Sequence, residues 1–561
     1  MHISRDIAGL GTVSTDKTYF DGTVAQFRGI PYGAVTRRFQ RPTIVDEWPT
    51  KALDACQFGP VSPTPALAAT LNLVGATLEA EDPIPPADEF LCLNLNITAP
   101  TNNDAAKKLP VLVFIHGGAN CMGAGSTAGY KGAPLVHMSL GMGQPIVVVT
   151  MNFRLGAFGF LASADLEEDN RAAGDRGVGN YGIHDQIVAL QWVKRYIGAF
   201  GGDPGQVTVV GQSAGGSEYL GFLISADPVL TLRYLLTWRA GDIHIQMLSR
   251  WASREQLFSQ AVIMSGNAVL TTRSLEHQEG IYQKFLAHLQ IPSDIAASDK
   301  VQRLRDVPVN ELLNAYIATG SPLPNWQATV DGFLLDDLPR SSTIGDQQYD
   351  TYVRRIIIGD CEKEGIIWAP RIAKLGWTPD KIRALLSSCF PAEVVDRMTS
   401  SYNLSDFSPE QAVAILEPFC NDAEFGRDIH AIAKSFSAGA GKALYYHMRY
   451  GNPFPGPFQN LAHHAVDLLF LFQTYNHLLP DKLAEAAQQM GRHWINFLNG
   501  GDPWPAYSEG ESSMCYGPEE VALLGRKEDD MGRYERWENL GGTDEWPRCS
   551  MIIRGEVASL V

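Results

Sequence analysis

The sequence is short of positive charge. Its 45 lysines and arginines face 62 aspartates and glutamates, a formal net charge of −17. A nucleic-acid binder needs a basic face to neutralise phosphates, so this balance argues against such a partner. Long hydrophobic runs are missing too, and no apolar stretch approaches the roughly 18 residues that span a bilayer. The opening residues, MHISRDIAGLGTVSTDKTYF, lack a basic segment followed by a sustained apolar one. No secretory signal is read there, and a cytoplasmic location is the expectation unless the N-terminus is incomplete.

Cysteine is sparse. The eight, at positions 56, 92, 121, 361, 389, 420, 515 and 549, show neither CxxC pairs nor zinc-finger spacing. This argues against a metal site or a dense disulfide framework, and most are read as buried thiols. Internal repeats, low-complexity tracts, a P-loop and HExxH are all missing. Gly123 to Ala128, GAGSTA, matches a loose dinucleotide fingerprint, but it does not directly leave a strand and no acid stands about 20 residues on. No cofactor is implied.

What is present is a large apolar fraction, 45% of 561 residues. Length alone would fit about three or four domains, a prior that large α/β enzymes break. Strand-like runs at Val111–Ile115, Ile146–Thr150, Val207–Val210, Ala261–Met264, Arg355–Ile358 and Ala443–Tyr446 alternate with helix-like segments. That is the pattern of a mostly parallel sheet with helices on both faces. Between the second and third runs, Ile187, Leu190, Val193 and Ile197 fall at spacings of three or four, one apolar face of a helix.

The third run feeds into Gly211-Gln212-Ser213-Ala214-Gly215, a G-x-S-x-G nucleophile elbow. A serine on a sharp strand-to-helix turn is held in strained backbone angles, and the flanking glycines let strand and helix approach. Ser213 is therefore the expected nucleophile. The backbone N–H of Ala214 would point toward a developing oxyanion, at the start of a helix whose dipole favours negative charge.

Alone, five residues are a weak signal. Phe200-Gly201-Gly202-Asp203-Pro204 at this offset strengthens it, and further blocks follow in order: FRGIPYG at 27–33 with Arg38-Phe39, CLNLNI at 92–97, HGGA at 116–119, NFRLGAFGFL at 152–161, GNYGIHDQIVALQWV at 179–193 and GDPWPAY at 501–507. Together they resemble the type-B carboxylesterase/lipase family of serine esterases, which includes cholinesterases and fungal lipases, and most closely its fungal type. The resemblance covers nearly the whole chain. It implies one domain over residues 1–561 with the α/β-hydrolase fold, no cofactor, and a small-molecule ester as partner.

By resemblance, the N–H groups of Gly118 and Ala119 join that of Ala214 in the oxyanion hole, Ala119 standing where a third glycine is common. Strand RIIIG leads to Asp360, Glu362 and Glu364, and a triad needs one carboxylate to hold its histidine. The family pattern of glutamate before glycine selects Glu364, leaving Asp360 and Glu362 as an expected solvated loop. Of His463 and His464, the latter fits the pattern of histidine, small residue, any residue, acid, ending at Asp467. The order Ser213, Glu364, His464 is the one this fold uses. Such a set supports acyl transfer to water, with lipase, lactonase or acyltransferase chemistry open through the same triad. A non-catalytic binding protein on the same fold would be expected to have lost the serine or histidine, and both are present.

Three departures accompany the resemblance. Glu89-Phe90-Leu91 precedes Cys92 where an acidic pair is usual, and Val61-Ser62 offers no cysteine to pair with Cys92. Gln212 precedes the nucleophile where cholinesterase-like members often carry glutamate. Third, residues 227–255 read as an atypical insertion. They form either a cap using Tyr234, Trp238 and Trp251, or a surface excursion, or translated intron sequence. Residues 62–88, rich in Ala, Pro and Leu, read as a surface loop that could serve as a lid.

Overall fold

The computed structural model describes residues 1–65, 75, 78, 82–83, 85–102, 107–212, 240–318, 326–349, 352–439, 441–529, 532–540 and 543–555. Ser213, Ala214 and Gly215, much of 62–88 and the first half of 227–255 lie outside them. The strands of the main sheet are β1 (Thr18–Tyr19), β2 (Val24–Pro31), β3 (Asn94–Pro100), β4 (Leu109–Ile115), β5 (Val147–Met151), β6 (Gly202–Gln212), β7 (Gln260–Met264), β8 (Arg355–Cys361), β9 (Lys442–Met448), β10 (Ser512–Tyr516) and β11 (Val521–Gly525). They lie side by side in the order β11-β10-β9-β8-β7-β6-β4-β5-β3-β2-β1.

All six strands expected from apolar runs are present, and they form the parallel centre, β5-β4-β6-β7-β8-β9. Strand β10 extends it in parallel, while β1, β2, β3 and β11 pair antiparallel at the margins. Every residue of β4, β5 and β7 is buried. Layers cover both faces, so these strands read as continuous Val, Ile and Leu runs without period-two alternation. The marginal strands escaped notice because their composition is mixed.

Six helices bear on the site and its support: α1 (Tyr181–Tyr196), α2 (Ala240–Leu248), α3 (Pro379–Cys389), α4 (Ala412–Asn421), α5 (Asp481–Leu498) and α6 (Glu545–Ile553). Helix α1 is the helix expected from the Ile187 to Ile197 spacing, but it is buried nearly all round, only Gln191, Lys194 and Arg195 escaping. Its polar Asp185 is matched there by Arg154 of the NFRLG block, whose Nε and Nη2 donate to the carboxylate at 2.8 and 2.7 Å. Arg38 holds Glu89 in the same two-pronged way, at 2.5 and 2.7 Å. Paired and desolvated, each guanidinium fixes one loop to the frame.

The reading of 227–255 as a surface excursion fails for its described half. Helix α2 buries Ile243, Ile245 and Met247, and its Asp242 accepts a hydrogen bond of 2.8 Å from Gln186 of α1. Trp251 packs on His184 and Phe333, ring centres 5.4 and 5.2 Å away. Tyr234 and Trp238 lie outside the described residues. No helix among the described residues is long and apolar enough to cross a membrane.

Burial leaves a signature in acid. Desolvation lowers His184, His244 and His430 to about 3, and His277, His463 and His493 to about 4. Each is neutral in the fold and protonates near 6.5 when unfolded, so the unfolded chain binds more protons between those values and stability falls with pH. Among the described residues four carboxyls oppose this, burial raising Glu417 and Asp467 to about 7 and Asp331 and Asp428 also upward. The histidines outnumber them. The urea midpoint of unfolding is therefore expected to drop as pH is lowered from about 6.5 to 4.5, and a midpoint that is flat or rises over that window contradicts the balance.

Candidate active site

The parallel strands deliver their carboxyl ends to one edge. Gly211, two residues before Ser213, sits in register with Ile115 of β4 and Ile263 of β7. His116 follows β4, and Glu364 follows β8 after two intervening residues. The edge of an open parallel sheet is where this architecture places ligands. There the described side chains with catalytic potential meet.

Glu364 begins a 3₁₀ turn running to Trp368. Its Oε1 accepts the Cys361 N–H at 2.6 Å, its own N–H donates to Asn421 Oδ1 of α4 at 2.8 Å, and its Oε2 meets His464 Nδ1. Both partners are fully buried. The adjoining backbone sets the alignment: Lys363 N–H donates to the Ala462 carbonyl at 2.9 Å, and residues 363 and 463 form an isolated parallel bridge. Phe425 lies against the His464 ring, with centres 5.3 Å apart. An imidazole with Nδ1 committed to a carboxylate presents Nε2 as its base.

The glycine after Glu364 has a steric reason. A Cβ on Gly365 would lie 2.7 Å from the Glu417 carbonyl oxygen and 3.0 Å from the Asn421 nitrogen. Helix α4 approaches too closely for any side chain. The same approach brings Asn421 within reach of Glu364. Asn421 and Phe425 carried no sequence signal, since their partners are more than 30 residues away and their own segment holds no motif.

His463 turns elsewhere. Its Nδ1 contacts the His464 carbonyl at 2.6 Å, and its Nε2 contacts Asn452 Nδ2 at 3.0 Å. Asp467, the acid closing the histidine pattern, is buried and accepts from Tyr446 OH at 2.8 Å. Desolvation, then the Glu364 charge, raise it to about 7. Asp360 is not on a solvated loop, contrary to expectation. It is buried at the end of β8, 2.9 Å from His447 Nδ1 and 3.1 Å from Arg533 Nη1. Burial alone would raise its pKa, but Arg533 and His447 outweigh it and hold the carboxyl at about 2. The reason is tertiary: Arg533 is 173 residues away. Glu362 is partly exposed, with Arg449 Nε 3.5 Å away.

The HGGA turn is bent by three successive positive φ angles, +116° at Gly118, +59° at Ala119 and +58° at Asn120. Left-handed backbone costs a non-glycine residue about 1–2 kcal/mol, so Ala119 accepts strain that a glycine would avoid. The turn is pinned by the N–H groups of Cys121 and Met122, both donating to the Gly118 carbonyl at 2.9 Å, and by Gly156 N–H on the Asn120 carbonyl. Among the described residues, no acceptor engages the N–H of Gly118 or Ala119. The following GAGSTA segment lines one wall of a cavity of about 920 Å³, with Arg28, Phe58 and His477 among the other lining residues.

A buried carboxylate–imidazole pair and a strained donor turn at one edge of a mostly parallel sheet define an α/β-hydrolase. Residues 7–227 and 235–532 match the model of the Carboxylesterase family, and the chain belongs to that family. It is 27% identical over 506 residues to Lipase 3 of Yarrowia lipolytica, covering 89% of each chain. To the para-nitrobenzyl esterase of Bacillus subtilis it is 28% identical over 515 residues, covering 87% of this chain and 89% of that one. A solved PNB esterase superposes with a TM-score of 0.71 at 25% identity over 97% of this chain and 100% of that one. A carboxylesterase of Geobacillus stearothermophilus gives 0.70 at 25% identity, over 95% and 99%. The protein is a carboxylesterase, an enzyme of ester hydrolysis acting on small-molecule esters. Only 228–234 falls between the matched segments, so most of 227–255 is family-like.

The packing at Gly365 predicts the effect of a single methyl. Gly365→Ala is expected to displace Glu364 from His464, destabilise the fold by roughly 1–3 kcal/mol, and lower kcat for p-nitrophenyl acetate more than it changes KM. Thermal unfolding and steady-state kinetics check this, and unaltered kcat would show that the α4 approach does not position Glu364.

Proposed function

We propose that hydrolysis proceeds through Ser213, His464 and Glu364 with an acyl-enzyme intermediate. The buried contact of Glu364 Oε2 with His464 Nδ1 carries this reading. His464 Nε2 takes the Ser213 proton as the hydroxyl attacks the ester carbonyl, and Glu364 stabilises the imidazolium. The N–H groups of Gly118, Ala119 and Ala214 receive the oxyanion, each donor contributing about 3–4 kcal/mol to the transition state. Protonated His464 then returns its proton to the departing alcohol, and water repeats the sequence on the acyl-serine. The relatives are named lipases as well as esterases, so a p-nitrophenyl ester series of rising chain length separates short-acyl from long-acyl preference.

A fluorophosphonate probe tests the nucleophile. Wild-type protein is expected to be labelled stoichiometrically and Ser213→Ala not at all; equal labelling of both would sink the assignment. Glu364→Gln is expected to keep the fold and lower kcat by about 10⁴, the loss seen when a triad histidine loses its carboxylate. A loss below tenfold would place the supporting acid elsewhere.

A further inference from the structure

Two cysteines far apart in sequence touch. Cys389 is the last residue of α3, and Cys549 lies within α6, the last described helix. Their sulfurs are 2.9 Å apart, inside ordinary non-bonded separation and about 0.9 Å from disulfide bond length. Cys389 is half-buried and Cys549 buried. The two helices are further tied by Trp377 Nε1, just before α3, which donates to the Ile553 carbonyl of α6 at 2.7 Å.

We propose that Cys389 and Cys549 are a site of oxidative cross-linking, forming an intrachain disulfide with a small-molecule disulfide such as glutathione disulfide as oxidant. The half-exposed Cys389 loses its proton to solvent and its thiolate attacks the oxidant. The oxidant's S–S bond breaks, a Cys389–glutathione bond forms and one glutathione thiolate leaves. Cys549 then gives up its proton and attacks the Cys389 sulfur, expelling the second glutathione. Two protein thiols are oxidised and one disulfide is reduced to two thiols. Burial pushes the Cys549 thiol up, which makes the second step the slower one and the mixed disulfide a transient.

The cross-link would act on the site through packing. Helix α6 holds Glu424 by Ser550 Oγ, and Arg554 at its C-cap holds it by Nε at 3.2 Å. The next residue, Phe425, is the ring against His464. Pinning α6 to α3 therefore secures the wall behind the histidine without touching the reacting atoms.

The full-length protein incubated with glutathione disulfide is expected to lose two of its eight thiols, to lose about 2 Da, the mass of two hydrogens, and to yield a non-reduced peptide joining residues 389 and 549. The oxidised enzyme is expected to keep its kcat at 25 °C and to lose activity more slowly on heating. Cys389→Ser, at the exposed end of α3, should abolish both the thiol loss and the heat protection, and Cys549→Ser should instead trap the glutathione adduct on Cys389. Retention of all eight thiols, a disulfide between another pair, or a wild-type adduct that never resolves would overturn the proposal.

Discussion

Glu364 and His464 lie a hundred residues apart in the chain, and neither is exposed to water. A carboxylate buried alone would be costly, and a buried imidazole beside it would have no fixed orientation. Together each answers the other's need, provided the backbone delivers both to the same place. Much of the molecule serves that delivery: the register of β8 with β9, the bridge between residues 363 and 463, Asn421 on the Glu364 amide and Phe425 on the imidazole face. The loss of any one support acts on a contact of a kind that must hold its geometry to within about 0.5 Å.

The sheet that carries the site was legible in the sequence where burial is complete. Strands covered on both faces must be apolar throughout, and the six central ones stand out for that reason. The marginal strands β2, β3 and β10 carry polar residues such as Gln26, Arg28, Asn94, Asn96 and Ser513 among their apolar ones, even where they are buried, and show no such signature. Helix α1 was legible as a helix, but its depth was not, because Asp185, Gln186 and His184 look like an outer face until their partners are known.

The site divides along the same line. Gly118, Ala119, Glu364 and His464 stand in local patterns with steric or electronic reasons, Gly365 among them. Asp360 was misjudged, because a carboxylate in a charged stretch reads as solvated unless its distant guanidinium is known. Asn421 and Phe425 were invisible for a related reason, since the end of α4 and the turn after it that carry them are positioned by tertiary packing. The described half of 227–255 likewise looked foreign by composition, yet its apolar residues fill the core.

The pairing of Asp360 with Arg533 bears on the order in which the chain can mature. The carboxylate enters its buried position with β8, but the guanidinium that compensates it is synthesised 173 residues later. A nascent chain that has finished the sheet still lacks the cation its interior requires, and breaking such a pair costs about 3–5 kcal/mol. Strand β8 also leads directly into Glu364. The catalytic edge is thus tied to a cation far downstream in the polypeptide, and its final packing must await the synthesis of Arg533.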